Sequence, residues 1–348
     1  MSKQKKCEIK HLHLSFSDLC GGNCLYCPEV RATSNKGDRI MREETFNRIL
    51  NYVLQSSIKD TLKTITISEN GNCFLNKNII NYLRTIRQKL PEVKTIAYIN
   101  PQGSQRYQED ITKENLLDDI WVNIDTLDKE YNKFLSKIDY LFAFESLEKL
   151  VDLRKKYQSN FKIHVLTLTL KKYLDICKKR TGDYPLRLKN NSQFNPKLIK
   201  DDYRKVKRKI KPLLSKGDSI NRSFIYLWAE YQNIKTPRLN YNCPMLNAFD
   251  ENIFINPDGK LYLCCYDSNY NLSYGNIKEK SIGELIFSQK RKELIELLKN
   301  REYLKIGFPC QYVQLCQREK PTLRAKIISR MKRYSWGKFV VNKLKREI

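Results

Sequence analysis

The sequence predicts an α/β protein of parallel strands, followed by a small cysteine-rich domain built from a β-hairpin and helices. Three observations carry that expectation. Short apolar or alternating runs recur between longer stretches of helical period, the pattern of βαβ units. The 348 residues are 41% apolar and 11% aromatic, enough for one large core and a smaller one, and too much for disorder. The eleven cysteines fall mostly into an early group and a late one, which points to metal or catalysis rather than disulfides.

Taken in order, Glu8–Ser15 reads as the first strand. Glu43–Leu54 reads as a helix: Phe46, Ile49, Leu50, Val53 and Leu54 share one face, and the early glutamates suit the positive end of a helix dipole. Leu62–Ser68 alternates as a second strand. Lys77–Leu90 is the next helix, stopped by Pro91. Val93–Ile99 is the third strand, a short helix is expected around Glu114–Asp119, and Ile120–Asp125 is the fourth strand. Ser146–Tyr157, with Leu147, Leu150, Val151 and Leu153 apolar, is a helix. Lys162–Leu170 is the fifth strand and Leu186-Arg187-Leu188 a short sixth. The charge run Lys200–Lys211 reads as a solvated basic face, helical in part, on a segment bridging two domains. The tail from Leu323 to Ile348 carries Leu323, Ile327, Ile328, Met331 and Phe339 in a basic background. It reads as an amphipathic helix that docks on the core, with an anionic membrane surface or a partner as the other options. The expected divisions are 8–194, 195–240, 241–318 and 319–348.

After the first strand comes Cys20-Gly21-Gly22-Asn23-Cys24-Leu25-Tyr26-Cys27, three cysteines at spacing C-x3-C-x2-C. Gly21 and Gly22 let the loop fold tightly, and Pro28 disfavours helix at Cys27. Such a loop points three sulfurs at one centre. Three thiolates suit an iron–sulfur cluster with one open iron, or a zinc site lacking its fourth ligand. Three unrelated reduced cysteines are the plain alternative.

The loop resembles the cluster loop of radical S-adenosylmethionine (SAM) enzymes, in which C-x3-C-x-aromatic-C binds a [4Fe-4S] cluster whose open iron is chelated by the amine and carboxylate of SAM. Tyr26 stands at the aromatic position, near the adenine in that family. The resemblance implies a partial, TIM-like (β/α)6 barrel with its active site at the C-terminal ends of the strands, where this loop leaves the first of them. Glu69-Asn70-Gly71-Asn72-Cys73 follows the second strand, where the family carries a Gly-Gly-Glu-Pro-like motif that binds the SAM amine. By resemblance Asn70, Gly71 and Asn72 take that place. Asn72 stands where Glu is usual, with Glu69 nearby and backbone carbonyls available; an ordinary strand-to-helix turn is the other reading. Val122-Asn123-Ile124-Asp125-Thr126 resembles the family's Val-Ser-Ile-Asp stretch. Asn123 and Asp125 then share one side of the strand and face SAM or substrate, unless Asp125 merely caps the next turn.

Near the other end, Asn256-Pro257-Asp258-Gly259 is a turn between alternating apolar runs, hence a β-hairpin. Cys243, Cys264, Cys310 and Cys316 offer four thiolates, enough to ligate a second [4Fe-4S] cluster or a structural zinc. The cysteine, the Gly-x4-Cys hairpin, the Gly275-Asn276-Ile277 stretch and the downstream pair resemble the SPASM/twitch extension of radical SAM barrels. A full SPASM domain has seven cysteines and two auxiliary clusters, so one auxiliary cluster is expected here. Cys265 is an alternative to Cys264, and strand alternation places the two on opposite faces. Cys7, Cys73 and Cys177 read as small buried hydrophobes, with a substrate-linking role as the second reading of Cys73. His11, His13 and His164 sit on strands and read as packing.

The resemblance implies a radical SAM oxidoreductase or maturase. An outside one-electron donor, a flavodoxin or ferredoxin, reduces the cluster. SAM is then cleaved to methionine and a 5′-deoxyadenosyl radical, which takes hydrogen from a substrate. A peptide or protein side chain is the first choice of substrate and a small sugar-like alcohol the second. The net charge of +27 admits a rival, a zinc-stabilised nucleic-acid-binding protein, but the abundance of Lys beside Ile, Asn and Tyr fits biased composition as well. No apolar run approaches the roughly 20 residues of a membrane helix, and no apolar signal core follows the basic start Met1–Lys6, so the chain is read as cytoplasmic.

Overall fold

The structure is a computed structural model that describes residues 8–22, 24–25, 27, 38–67, 70–99, 101–135, 139–222 and 240–316. Tyr26, Glu69, Cys7 and the 319–348 tail, all singled out from sequence, lie outside the described residues.

Six parallel strands follow one another: β1 (His11–Leu14), β2 (Thr64–Thr66), β3 (Lys94–Ile99), β4 (Asp119–Asn123), β5 (Lys162–Thr167) and β6 (Ser219–Arg222). Between them stand α1 (Glu43–Gln55), α2 (Ile79–Lys89), α3 (Gln108–Lys113), α4 (Lys129–Leu135), α5 (Tyr140–Lys156), α6 (Leu170–Thr181), α7 (Leu186–Lys189) and α8 (Tyr203–Ile210). The expected strand–helix alternation is therefore present. On one face of the sheet Leu12, Ile65, Ala97, Ile120, Val122, Ile163 and Val165 are buried in one core with Phe46 and Ile49 of α1, Leu83 of α2, and Leu147 and Leu150 of α5. The alternating positions His13, Trp121 and His164 are half-buried and Tyr98 is exposed, so the opposite face stays open and polar to aromatic. There Tyr98 stacks on Trp121, and Trp121 on His164 at 4.4 Å.

Two local expectations fail. Leu186–Leu188 is the helical turn α7, and the sixth strand is β6, inside the segment read as a bridge. A three-residue apolar run fits either state. β6 has one apolar residue and forms because β5 offers it an edge, with Ile220 opposite Val165. A buried ion pair holds it there. Arg154 of α5 forks onto both carboxylate oxygens of Asp218, at 2.8 and 2.7 Å, while the backbone N–H groups of Ile163 and Ser215 donate to the same carboxylate. The second miss is the helix at Glu114–Asp119, which instead ends at Lys113: Asn115 turns into the left-handed region at φ 50° and sends Leu116 and Leu117 into the core.

The sheet does not stop at β1. Strand β7 (Asn252–Ile255) lies parallel against its far edge, Leu12 opposite Ile253 and His13 opposite Phe254. The hairpin partner β8 (Lys260–Tyr262) and β9 (Ser273–Asn276) follow antiparallel, giving the order β6-β5-β4-β3-β2-β1-β7-β8-β9. The hairpin expected at Asn256–Gly259 is thus present, and it covers an edge of β1 that an open barrel leaves unpaired. Three helices, α9 (Ile282–Ile286), α10 (Gln289–Lys299) and α11 (Tyr303–Ile306), precede a 3-10 segment at Cys310–Cys316, where the described chain ends.

Candidate active site

The three early cysteines leave the C-terminal end of β1 and are all half-buried. Their loop is pinned at its base and in its middle. At its base, the Asp18 N–H donates to the Arg39 carbonyl, and the Arg39 guanidinium returns a bond to the Asp18 carbonyl at 3.0 Å. In its middle, Leu25 is 2% exposed and sinks into a second core with Leu135, Leu168, Leu170 and Tyr173, its N–H donating to the Leu135 carbonyl at 2.6 Å. The sulfur of Cys20 accepts from the Gly22 N–H, and the Cys27 N–H reaches the Cys24 carbonyl. Leu25 carries the loop's burial, a role that a search for ligands overlooks although an apolar residue between two cysteines is its signal.

The Asn70–Asn72 turn docks onto this base rather than standing apart from it. Gly71 sits at φ +62°, and a Cβ there would lie 2.3 Å from the Ser17 carbonyl oxygen. The next amide, Asn72 N–H, donates to the Leu19 carbonyl at 2.7 Å. Both asparagine side chains are engaged: Asn72 Oδ1 accepts from the Phe74 N–H, and Asn70 Nδ2 donates to the Tyr270 hydroxyl. Asn76 Nδ2 bridges the Phe16 and Met41 carbonyls. The turn is therefore tied to the cysteine loop one residue before Cys20.

Asn123 ends β4 and is exposed; Asp125 accepts a hydrogen bond from the Leu168 N–H at 3.0 Å. The structure thus brings the Asp125 carboxylate to the end of β5. Beside it Thr126 donates to Asp202 at 2.6 Å, and burial pushes the Asp202 carboxyl up from the ordinary range, with Asp128 and Asp201 adding to the rise.

At the hairpin end, β8 stops at Tyr262, so Cys264 and Cys265 lie beyond the strand and its alternation does not separate them. Cys264 is buried and Cys265 half-buried. The adjacent Cys265 thiol, then burial, then the nearness of Cys316 and Cys243 hold the Cys264 thiol well above the usual range. Burial raises Cys243, with Cys265 adding to it. Burial pushes Cys310 up to about 12, with Cys243 and Asp267 contributing. Cys243 is anchored through its N–H to the Tyr303 hydroxyl at 3.0 Å. Five thiols thus lie in one region, Cys264 buried and the other four half-buried, where thiolates are costly unless a metal ion takes up their charge. The donor set fits a thiophilic centre, an iron–sulfur cluster or zinc. Among the described residues no group of three or more His, Cys, Asp or Glu side chains has closed to metal-holding geometry, so the fit rests on donor chemistry and shared burial.

Cys73 and Cys177 are fully buried. His11 bonds the Thr64 hydroxyl, His13 bonds Asn252 and stacks on Phe254 at 4.3 Å, and His164 bonds Ser219.

The description of the SPASM family, an iron–sulfur cluster-binding domain, matches residues 243–317, the stretch that holds the five late cysteines. Among solved structures, SuiB of Streptococcus suis bound to S-adenosylmethionine is 14% identical, with a TM-score of 0.51 over 89% of this chain and 72% of that one. SuiB bound to its precursor peptide SuiA matches at 14% identity and TM-score 0.50, over 89% of this chain and 76% of that one. The anSMEcpe structure with bound AdoMet and Cp18Cys peptide is 18% identical at TM-score 0.49, covering 88% and 87%. No curated protein matches the sequence. At such identities the likeness to SuiB is one of fold.

Proposed function

We propose that this chain, which carries a SPASM iron–sulfur cluster-binding domain on the fold of SuiB, is a radical SAM enzyme acting on a peptide or protein side chain. The observation that carries the reading is the docking of the Asn70–Asn72 turn onto the root of the C-x3-C-x2-C loop at the C-terminal end of β1. In this reading Cys20, Cys24 and Cys27 hold a [4Fe-4S] cluster. That cluster, once reduced, supplies the electron for cleaving SAM to methionine and a 5′-deoxyadenosyl radical, the species that removes hydrogen from substrate. The protein's own work is positioning and the exclusion of water. Leu25 and the Arg39–Asp18 bonds hold the loop, the carbonyls of the 70–72 turn accept from the SAM ammonium, and Asn123 lies exposed at the end of β4 toward substrate. Cys243, Cys264, Cys310 and Cys316 hold an auxiliary cluster, with Cys265 beside Cys264 as a fifth thiol. A flavodoxin or ferredoxin is the proposed electron donor. The peptide class is supported by the SuiB complex with its precursor peptide, whose fold this chain shares. Among the described residues no helix is long and apolar enough to cross a membrane.

The test is anaerobic. Full-length protein reconstituted with iron and sulfide, given a strong reductant and SAM, is expected to release 5′-deoxyadenosine, read by mass spectrometry. Cys20→Ala/Cys24→Ala/Cys27→Ala should abolish the product and cut bound iron from about eight to about four per chain, one [4Fe-4S] cluster fewer. Product from the triple variant would overturn the assignment. Loss of all iron on replacing only the early cysteines would remove the auxiliary cluster from the reading.

A further inference from the structure

A buried hydrogen-bond link joins the cysteine loop, the Asn70 turn and the auxiliary domain at a single side chain, Tyr270. Its hydroxyl donates to Asp18 Oδ2 at 2.8 Å and accepts from Asn70 Nδ2 at 3.1 Å. Asp18 is 0% exposed and stands two residues before Cys20; Asn70 is one residue before Gly71. On its own side, the Tyr270 N–H bonds the Asp267 carbonyl, and the Asp267 N–H bonds the Cys264 carbonyl. The Asp267 carboxylate further accepts from the Leu272 N–H at 2.6 Å, fixing the segment that carries Tyr270. A continuous chain of hydrogen bonds therefore runs from an auxiliary cysteine to the root of the early cysteine loop.

Tyr270 also sits at φ 58°, a left-handed conformation that a bulky aromatic residue avoids. Such strain persists where surrounding contacts over-determine it. The ring is 6% exposed and packs edge-on against Tyr262 at 4.8 Å, itself in contact with Phe254 of β7. The strain buys a hydroxyl placed between two loops that no local backbone rule brings together.

We infer that Tyr270 is a positioning residue through which metal loading of the auxiliary cysteines stiffens the Cys20 loop and the Asn70–Asn72 turn. Filling the auxiliary site draws Cys264 and its segment into one conformation; the Asp267–Tyr270 bonds pass that order to Asp18 and Asn70. The two sites are then coupled, and coupling of this kind is reciprocal. The inference rests on the auxiliary-cluster reading above.

The experiment uses the full chain with Cys20→Ala/Cys24→Ala/Cys27→Ala, so that only the auxiliary site takes up iron and sulfide. Backbone hydrogen exchange at residues 15–22 and 70–76 is measured before and after loading, with residues 119–123 and 162–167 as a distant reference. Loading is expected to slow exchange in the first two segments by about tenfold, within the usual range of such couplings, and to leave the reference unchanged. Adding Tyr270→Phe, which keeps the ring and removes only the hydroxyl, is expected to abolish that protection while iron uptake is retained. Asn70→Ala, which cuts one arm, serves as the second variant if Tyr270→Phe fails to fold, and should abolish the protection at 70–76. Iron uptake without protection, or protection that survives both variants, overturns the coupling and leaves the cluster reading standing. No iron uptake by the triple variant overturns the auxiliary-cluster reading and this inference with it.

Discussion

Gly71→Ala is expected to cost about 2–5 kcal/mol and to abolish SAM binding. The estimate adds the left-handed penalty of a non-glycine residue, about 1–2 kcal/mol, to a typical overpacking cost of about 1–3 kcal/mol. The clash has no soft partner: the atoms within 2.8 Å of the new Cβ are the Ser17 carbonyl oxygen and the Asp18 Cα and carbonyl carbon, all backbone. Relief has to come from moving the turn off the root of the cysteine loop, which breaks the Asn72–Leu19 bond. Gly182→Ala is the matched control. It has the same sign of φ, +81°, and nothing within 4 Å of the added carbon, so it isolates the conformational penalty. Thermal melts together with a SAM-binding titration check both. Equal losses for the two variants would show that the turn is not held against Ser17.

The second large effect is at the pair that sets β6. Arg154→Met is expected to destabilise by about 3–5 kcal/mol, because it leaves a buried carboxylate without its cation. Asp218 is 1% exposed at the side chain. Burial alone would raise its pKa; the bonds from Arg154 and the Ile163 and Ser215 N–H groups outweigh that, so the carboxyl sits below its ordinary range. A folded pKa depressed below the unfolded one, about 3.9, gives stability that is present above that value and lost as pH falls through the folded pKa. In Arg154→Met the carboxyl keeps the Ile163 and Ser215 N–H bonds but loses its cation, and its pKa rises. The gap between wild type and variant should then be widest near neutral pH and narrow on acidification below the carboxylate range. Urea unfolding at several pH values reads it, and a gap that does not change with pH would refute the ionic account.

Much of the candidate site was legible because its residues are close in sequence. Cys20, Cys24 and Cys27 are neighbours, and their spacing pointed to a thiolate-held centre, an iron–sulfur cluster or zinc. Gly71 was legible as a glycine at a strand end, but its reason was not. It was placed by resemblance at a SAM-binding turn, whereas its missing Cβ makes room for Ser17 and Asp18. Cys265 was held as an alternative to Cys264 on the opposite strand face, an argument that lapses because β8 ends at Tyr262. Tyr270 had no sequence signal, since its partners Asp18 and Asn70 lie 252 and 200 residues away.

The sequence by itself determined the alternation of strands and helices, the cysteine loop at the end of the first strand, and the hairpin at Asn256–Gly259. Each follows from interactions within a few residues: period, turn chemistry and donor spacing. Only the tertiary structure decided that β6 is Ser219–Arg222, that β7 extends the sheet from the far edge of β1, and that the late thiols gather around the buried Cys264. Those outcomes depend on edges and burial. An edge exists only once its neighbours have folded, and a charge or thiol is costly only once its surroundings have excluded water.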